Sequence, residues 1–90
     1  MTLYIPPEVE PYKDDIRRFV DAMIYKLRRN ARKGRWEKVD LTKAMELLRD
    51  EVHELHVAID EGNTTEIVLE GADVANFALI ATAIALERGK

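Results

Sequence analysis

The sequence predicts an all-α protein whose three main helices form a bundle that is completed by oligomerisation. Apolar residues recur at helical spacing over three long stretches, Gly34 and Gly62 fall between those stretches, and no segment shows the alternation of a strand. At 90 residues the chain makes one domain. We divide it into an N-terminal arm, residues 1–11, and a single helical domain, residues 12–90.

The N-terminal arm is expected to be extended. Pro6, Pro7 and Pro11 fix φ and remove backbone donors, which disfavours a helix there. The first helix is predicted from about residue 12 to residue 31, and Gly34 ends it or lies in the turn after it. Its apolar stripe consists of Ile16, Phe19, Val20, Met23, Ile24 and Leu27.

The second helix is predicted over residues 41–60. Asp40 precedes it as a plausible N-cap, and Gly62 follows it as the stop. Its apolar residues are Leu41, Ala44, Leu48, Val52, Leu55 and Ile59. The short DEGN loop that follows makes the second and third helices antiparallel neighbours.

The third helix is predicted over residues 64–87. Asn63 followed by Glu66 resembles a capping box at its start. The stretch VANFALIATAIAL in its second half is apolar nearly all round, so it must be covered on more than one side. Three helices of one chain cannot easily do this, and we therefore expect a homodimer or a homotetramer built as a dimer of dimers.

Composition narrows the class of protein. The chain has no cysteine, which excludes disulfides and thiolate metal sites and fits a reducing compartment. No apolar run approaches the ~20 residues of a membrane span, and the N-terminus lacks the features of a signal peptide. We therefore expect a cytoplasmic protein. Residues 1–45 are basic, with 11 Lys and Arg against 7 Asp and Glu, whereas residues 46–90 are acidic, with 3 against 10.

Two pairs of acids stand beside apolar residues on the second and third helices. Glu51 and Glu54 are one helical turn apart, and so are Glu70 and Asp73. Folding at the loop places residues 54 and 70 at similar heights, so the four carboxylates are expected to converge. Such a cluster raises its own pKa values unless a cation compensates it, and a hard divalent ion such as Mg²⁺ takes oxygen ligands. The alternative is that these acids are exposed residues of amphipathic helices.

The segments RDEVHEL and LEGADVANF together resemble the ExxE…ExxD signature of the MazG-like, all-α nucleoside triphosphate pyrophosphohydrolases. The resemblance covers about residues 30–85 and includes KGRW, which is similar to a Lys-Gly-x-Trp element of small members of that family. Asp50 stands where the family's EExxE motif has its first glutamate. That position is generally not a principal metal ligand.

The resemblance implies that Glu51, Glu54, Glu70 and Asp73 bind Mg²⁺, for which Mn²⁺ is a substitute. It implies hydrolysis of an NTP or dNTP to the monophosphate and pyrophosphate. Glu51 or Glu54 is then the candidate for accepting the proton of the attacking water.

Three further residues are candidates for binding the substrate. Lys33 and Trp36 match the family element, Lys33 as a phosphate contact and Trp36 as a wall of the base pocket. Asn76 follows Asp73 on the same helix face, where its amide needs a partner, either in the substrate or on a facing helix. Trp36 as a plain core or interface residue is the alternative. We expect the segment from Lys33 to Trp36 to close over the site of a neighbouring subunit, although closure within one chain is also open.

Two other functions stay open. The segment KLRRNARKGRWEK, residues 26–38, holds seven cations and one acid, which suits a small helical nucleic-acid-binding module with an aromatic platform. That reading leaves the four acids without a role, so a nucleic-acid partner is not favoured. A non-catalytic oligomerisation domain is the third reading. His53 and His56 are expected at the surface, and the sequence lacks the paired Glu-x-x-His motifs of a di-iron protein.

Overall fold

The structure is a computed structural model that describes residues 3–31 and 34–88. Within these ranges it consists of helices and contains no strand, which confirms the all-α class. A six-residue 3-10 helix precedes three α-helices. The α-helices are α1 (Lys13–Asn30), α2 (Leu41–Glu61) and α3 (Thr64–Arg88). Each end lies within one residue of the boundary expected from the sequence.

The expectation of an extended arm is wrong for its second half. Residues Pro7–Tyr12 form the 3-10 helix, with Pro6 as its extended N-cap and Pro11 inside it. The first N–H groups of any helix have no helical partner, so a proline at the start removes nothing that the helix uses. Pro6 and Pro7 therefore begin a short helix here, and that helix runs directly into α1.

Side-chain and glycine caps fix the ends of the hairpin formed by α2 and α3. The Asp40 carboxylate accepts a hydrogen bond from the Lys43 backbone N–H at 2.8 Å. Gly62 ends α2 in the left-handed conformation, with φ of 68°, which a residue without a Cβ adopts most easily. The Asn63 Oδ1 accepts from the Glu66 N–H at 3.1 Å. The caps by Asp40 and Gly62 are confirmed. Of the predicted capping box only the Asn63 half is present, because the Asn63 N–H donates to the Ala58 carbonyl rather than to Glu66.

The central helix is α3, which packs against both α1 and α2, whereas no close backbone contact joins α1 to α2 in the described ranges. The radius of gyration is 14.4 Å, compared with about 12 Å for a compact domain of this length. The buried apolar residues of the described chain are few and mostly small: Ala44, Ala58, Ala72 and Ile84. A single chain is thus an open assembly with little core.

Helix α3 is long and apolar enough to cross a membrane by length and composition alone, with a mean hydropathy of 1.6 over its most apolar window. The core helix of a soluble protein passes the same test. The expectation that no segment approaches a membrane span is therefore too strong. Glu70 and Asp73 lie on the same helix, however, and both face the other helices rather than standing fully exposed.

Candidate metal centre

The α2–α3 hairpin brings three carboxylates together. Glu70 and Asp73 lie one turn apart on α3, and Glu51 meets them from α2. One carboxylate oxygen of each residue lies within 4.8 Å of the others. All three side chains are partly buried. The geometry follows from the antiparallel hairpin, because the Gly62 turn folds the middle of α3 back along the middle of α2.

The fourth predicted carboxylate stands beside this group. Glu54 is exposed and is not one of the three residues whose oxygens converge. Its negative charge nevertheless contributes to raising the pKa values of both Glu51 and Glu70. Three of the four predicted acids therefore form the cluster, and the fourth, Glu54, is exposed to solvent.

The pKa values of two of the clustered carboxyls are raised. Burial raises the pKa of Glu51 from its ordinary 4.5 to about 7, and the charges of Asp73 and Glu70 add to the rise. Burial also raises the pKa of Glu70, again with help from Asp73. Neighbouring carboxylates that are removed from water disfavour one another's charged forms. A bound divalent cation would offset both effects, because its positive charge favours the ionised carboxylates.

One lysine of α1 reaches the cluster. The Lys26 Nζ lies 3.0 Å from the Asp73 Oδ2, and only about one sixth of each side chain is exposed, 16% and 15% respectively. Lys26 thereby links α1 to the hairpin at the same point where the acids meet. Its charge also opposes the rise in the pKa values of Glu51 and Glu70.

A cavity of about 840 Å³ opens next to the acids. Its walls come from the end of α1, from the connector of residues 34–39, and from the facing sides of α2 and α3. Lys26, Glu51 and Asp73 line it together with Trp36 and Asn76. The cavity therefore joins the acidic cluster to an aromatic ring within one chain.

Two buried polar atoms in the walls of this cavity have no hydrogen-bond partner in the described part of the chain. They are the Trp36 Nε1 and the Asn76 Oδ1. Asn76 is only 5% exposed, and its Nδ2 donates to the Met23 carbonyl at 3.1 Å, which fixes the orientation of the amide. A buried donor and a buried acceptor without partners are uncommon and costly in free energy. Both atoms have almost no accessible surface, so a ligand in the cavity reaches them only after the side chains that cover them move.

The connector that carries Trp36 is tied to the C-terminal end of α3. The Arg88 guanidinium donates to the backbone carbonyls of Val39, at 2.8 Å, and Trp36, at 3.2 Å. Arg35 forms an ion pair with Glu87, and its guanidinium stacks 4.5 Å from the centre of the Trp36 ring. These contacts hold the ring of Trp36 in the wall of the cavity.

Two of the three predicted substrate-binding residues lie in the cavity wall. Trp36 and Asn76 line the cavity, whereas Lys33 lies outside the residues that the structure describes. We expected the Lys33–Trp36 segment to close over a neighbour's site. Trp36 lines the cavity of its own chain, where Arg88 anchors the connector to the hairpin that holds the acids. Closure over a neighbour's site stays a prediction.

Lys26 and Arg88 are the site residues that the sequence did not single out. Lys26 was grouped with the other cations of residues 26–38. Its distinguishing signal is its position one turn after Met23, at the edge of the apolar stripe of α1, where a charge needs a partner. Arg88 carries no local signal, since its acceptors lie 49 and 52 residues away in the sequence.

The donor set suits a hard divalent cation. Three carboxylates supply oxygen ligands and negative charge, and the cavity leaves room for waters or for the phosphates of a ligand. None of the family models, curated proteins and solved structures compared with this chain matches it. The case for a function therefore comes from the residues of this chain and their arrangement.

Proposed function

We propose that the protein is a metal-dependent nucleotide pyrophosphohydrolase that converts an NTP or dNTP to its monophosphate and pyrophosphate. The observation that carries the proposal is the shared cavity. It combines a carboxylate cluster suited to Mg²⁺ with a stacking surface and two buried polar atoms that lack partners. A nucleotide bound with its metal ion would place its phosphates at the carboxylate cluster and its base or sugar against Trp36 and Asn76. The likeness of RDEVHEL and LEGADVANF to the MazG-like motifs supports the same assignment.

Glu51, Glu70 and Asp73 are the residues that would hold Mg²⁺, or Mn²⁺ as a substitute. They fit the ion because all three ligand atoms are carboxylate oxygens. Their crowding also helps to raise the pKa values of Glu51 and Glu70, and a bound cation would lower these pKa values again. The chemistry that the ion supplies when bound is positive charge against the triphosphate and acidification of the attacking water.

The remaining residues bind, orient and accept a proton. Trp36 presents its ring to a base. The Trp36 Nε1–H and the Asn76 Oδ1 become a donor and an acceptor for the ligand once the side chains that cover them move. Glu54 is the candidate general base, because its carboxylate stands next to the cluster without belonging to it. Glu51 is the alternative base.

The proposal includes assembly of the chain with further copies of itself in the cytoplasm. The open arrangement of the helices and the few large buried side chains leave a single chain short of core. Phe19, Ile59, Val68 and Leu79 each expose at least two fifths of their surface. A second copy that covers these residues supplies the missing burial, and a dimer or a dimer of dimers achieves this by symmetry.

A screen of NTPs and dNTPs with Mg²⁺ tests the function. Pyrophosphate and nucleoside monophosphate are expected in equal amounts, without orthophosphate, and none is expected when EDTA replaces Mg²⁺. Release of orthophosphate alone would contradict the proposed bond cleavage. A salt-sensitive gel shift with DNA or RNA, without hydrolysis of any nucleotide, would instead favour the nucleic-acid-binding function of residues 26–38. Two of those cations, Lys26 and Arg35, are already paired with acids of α3.

A further inference from the structure

Lys26 occupies the place where a cation is needed. Its ammonium contacts the Asp73 Oδ2 at 3.0 Å in a setting where both side chains are largely removed from solvent. The contact joins α1 to the middle of α3, whereas both side chains of every other ion pair in the described chain are at least two fifths exposed. Lys26 is thus a partly buried charge whose partner is one of the three clustered acids.

The charge of Lys26 acts on the whole cluster. It lowers the pKa values of Glu51 and Glu70, against the raising effects of burial and of the other carboxylates. A single positive charge cannot balance three carboxylates, and the pKa of Glu51 still rises to about 7. Lys26 therefore compensates the cluster in part, as a weak substitute for a divalent ion.

We propose that Lys26 is the resident counter-cation of the metal-free site, and that its ammonium leaves Asp73 when a divalent ion binds. This inference rests on the proposed metal centre and deepens it. An ammonium and a divalent ion next to the same carboxylate repel each other, and the ammonium already occupies one of the two Asp73 oxygens that an ion could take as a ligand. Metal binding is consequently an exchange of one cation for another.

The exchange gives Lys26 a second role. Once it leaves Asp73, its ammonium lies on the wall of the cavity and is too buried to stay without an anionic partner. A triphosphate in the same cavity supplies that partner. The lysine thus moves from a carboxylate to a phosphate as the site fills, and it favours binding of the metal together with the nucleotide.

Titration calorimetry with Mg²⁺ or Mn²⁺ alone tests the exchange. Removing the competing charge by Lys26→Met is expected to tighten metal binding on the order of tenfold, since a like charge a few ångströms from the ion is lost. Lys26→Gln should act in the same direction, and Lys26→Arg should keep the wild-type affinity. Lys43→Met is the matched control, because Lys43 pairs with Glu46 on the exposed face of α2 and should change nothing. Unchanged or weaker metal binding in both neutral variants would overturn the inference.

Chemical labelling of lysines in the unaltered chain gives an independent readout. Acetylation of Lys26 is expected to be slow without metal, several-fold faster with saturating Mg²⁺, and slow again when inorganic tripolyphosphate is added. Labelling of Lys43 should stay constant. Protection of Lys26 that does not respond to Mg²⁺ would contradict the exchange. If the wild-type chain binds no divalent ion at all, the proposed metal centre fails, which is distinct from a metal-binding chain in which Lys26 is inert.

Discussion

Arg88, the last residue of α3, donates a hydrogen bond to the backbone carbonyl of Trp36 at 3.2 Å. The same guanidinium donates to the carbonyl of Val39. Because α2 and α3 run antiparallel, the end of α3 lies beside the connector that leads into α2. The two hydrogen bonds set where the connector runs, and so they set where the indole of Trp36 meets the cavity. A residue distant from the acids in sequence thereby shapes the proposed nucleotide site.

Arg88→Ala is expected to loosen the connector while the helices stay folded. The loss of two exposed hydrogen bonds should cost on the order of 1 kcal/mol of stability. Trp36 is the only tryptophan of the chain, so its fluorescence reports on the connector alone. The emission should shift to longer wavelength, and acrylamide should quench it more strongly. Arg17→Ala, an exposed change on α1, is the control. Identical quenching in both variants would show that Arg88 does not hold the connector.

The sequence was sufficient to predict the three α-helices and their caps. Capping residues marked the helix ends: Asp40 before α2, Gly62 after it and Asn63 before α3. Such residues can be recognised from the local sequence alone, without knowledge of the fold. The N-terminal arm was misjudged because proline excludes the interior of an α-helix but not the start of a 3-10 helix.

The site was predictable only where its residues share a helix or a hairpin. Glu51, Glu70 and Asp73 could be brought together from their spacing and one short loop. The exposure of Glu54 depends on how far α2 is rotated about its axis, which spacing alone does not give. The contacts of Lys26 and of Arg88 cross 47 to 52 residues of sequence, and such contacts follow only from the packing of α1 and the connector on α3.

Amide substitutions are expected to separate metal binding from catalysis. Glu51→Gln, Glu70→Gln and Asp73→Asn should each abolish hydrolysis and most of the thermal stabilisation by Mg²⁺, because each removes a clustered ligand charge. Wild-type stabilisation of about 2.7 kcal/mol is expected at a metal concentration one hundred times Kd. Glu54→Gln should keep that stabilisation but lose hydrolysis, as expected for a general base outside the cluster.

Thermal melts with and without Mg²⁺, run beside the pyrophosphate assay, make this comparison. Glu46→Gln is the matched control, since Glu46 is an exposed acid of α2 that pairs with Lys43. Near-normal turnover in two or more of the four variants would contradict the proposed site. If Glu54→Gln also loses the response to Mg²⁺, Glu54 is a ligand and the proton acceptor is another group.

The stability of the metal-free protein is expected to fall as pH rises. The pKa of Glu51 is about 7 in the folded chain and about 4.5 in the unfolded chain, so the folded chain binds more protons between these values. The stabilising contribution of the protonated carboxyl is fully present below pH 4.5 and is lost as pH rises through 7. The raised pKa of Glu70 acts in the same direction.

Urea unfolding in EDTA at pH 5 and at pH 8 measures this effect. Glu51→Gln should remove a large part of the difference in unfolding free energy between the two pH values, on the order of 1 to 3 kcal/mol. The variant should also be more stable than the wild type at pH 8, because it carries no charge into the cluster. Glu46→Gln should retain the wild-type difference. An equal pH response in wild type and Glu51→Gln would refute the electrostatic strain at this site.

Leu79→Asp is expected to break the proposed assembly. Leu79 lies on α3 and exposes 40% of its surface in the single chain, and in the proposed assembly a second copy covers it. A carboxylate buried at such an interface without a partner is costly in free energy. Sedimentation should show a lower oligomeric state or unfolding at micromolar concentration. His53→Asp, on the exposed face of α2, should leave the assembly intact. A wild-type chain that sediments as a monomer would exclude the assembly itself.

Mixing two inactive variants tests whether each site belongs to one chain. Trp36 and Asp73 line the same cavity of a single chain, and Arg88 of that chain holds the connector in place. We therefore predict that Asp73→Asn and Trp36→Ala proteins do not restore activity when they are mixed, since every site in a mixed oligomer lacks one of the two residues. Subunit exchange must be shown first, by native mass spectrometry of a mixture with one isotopically labelled partner. If the connector of one subunit completes the site of the next, each mixed dimer has one intact site of two. Random exchange makes about one half of the dimers mixed, so activity would recover towards one quarter of the wild-type value per site. Such recovery would contradict a site within one chain.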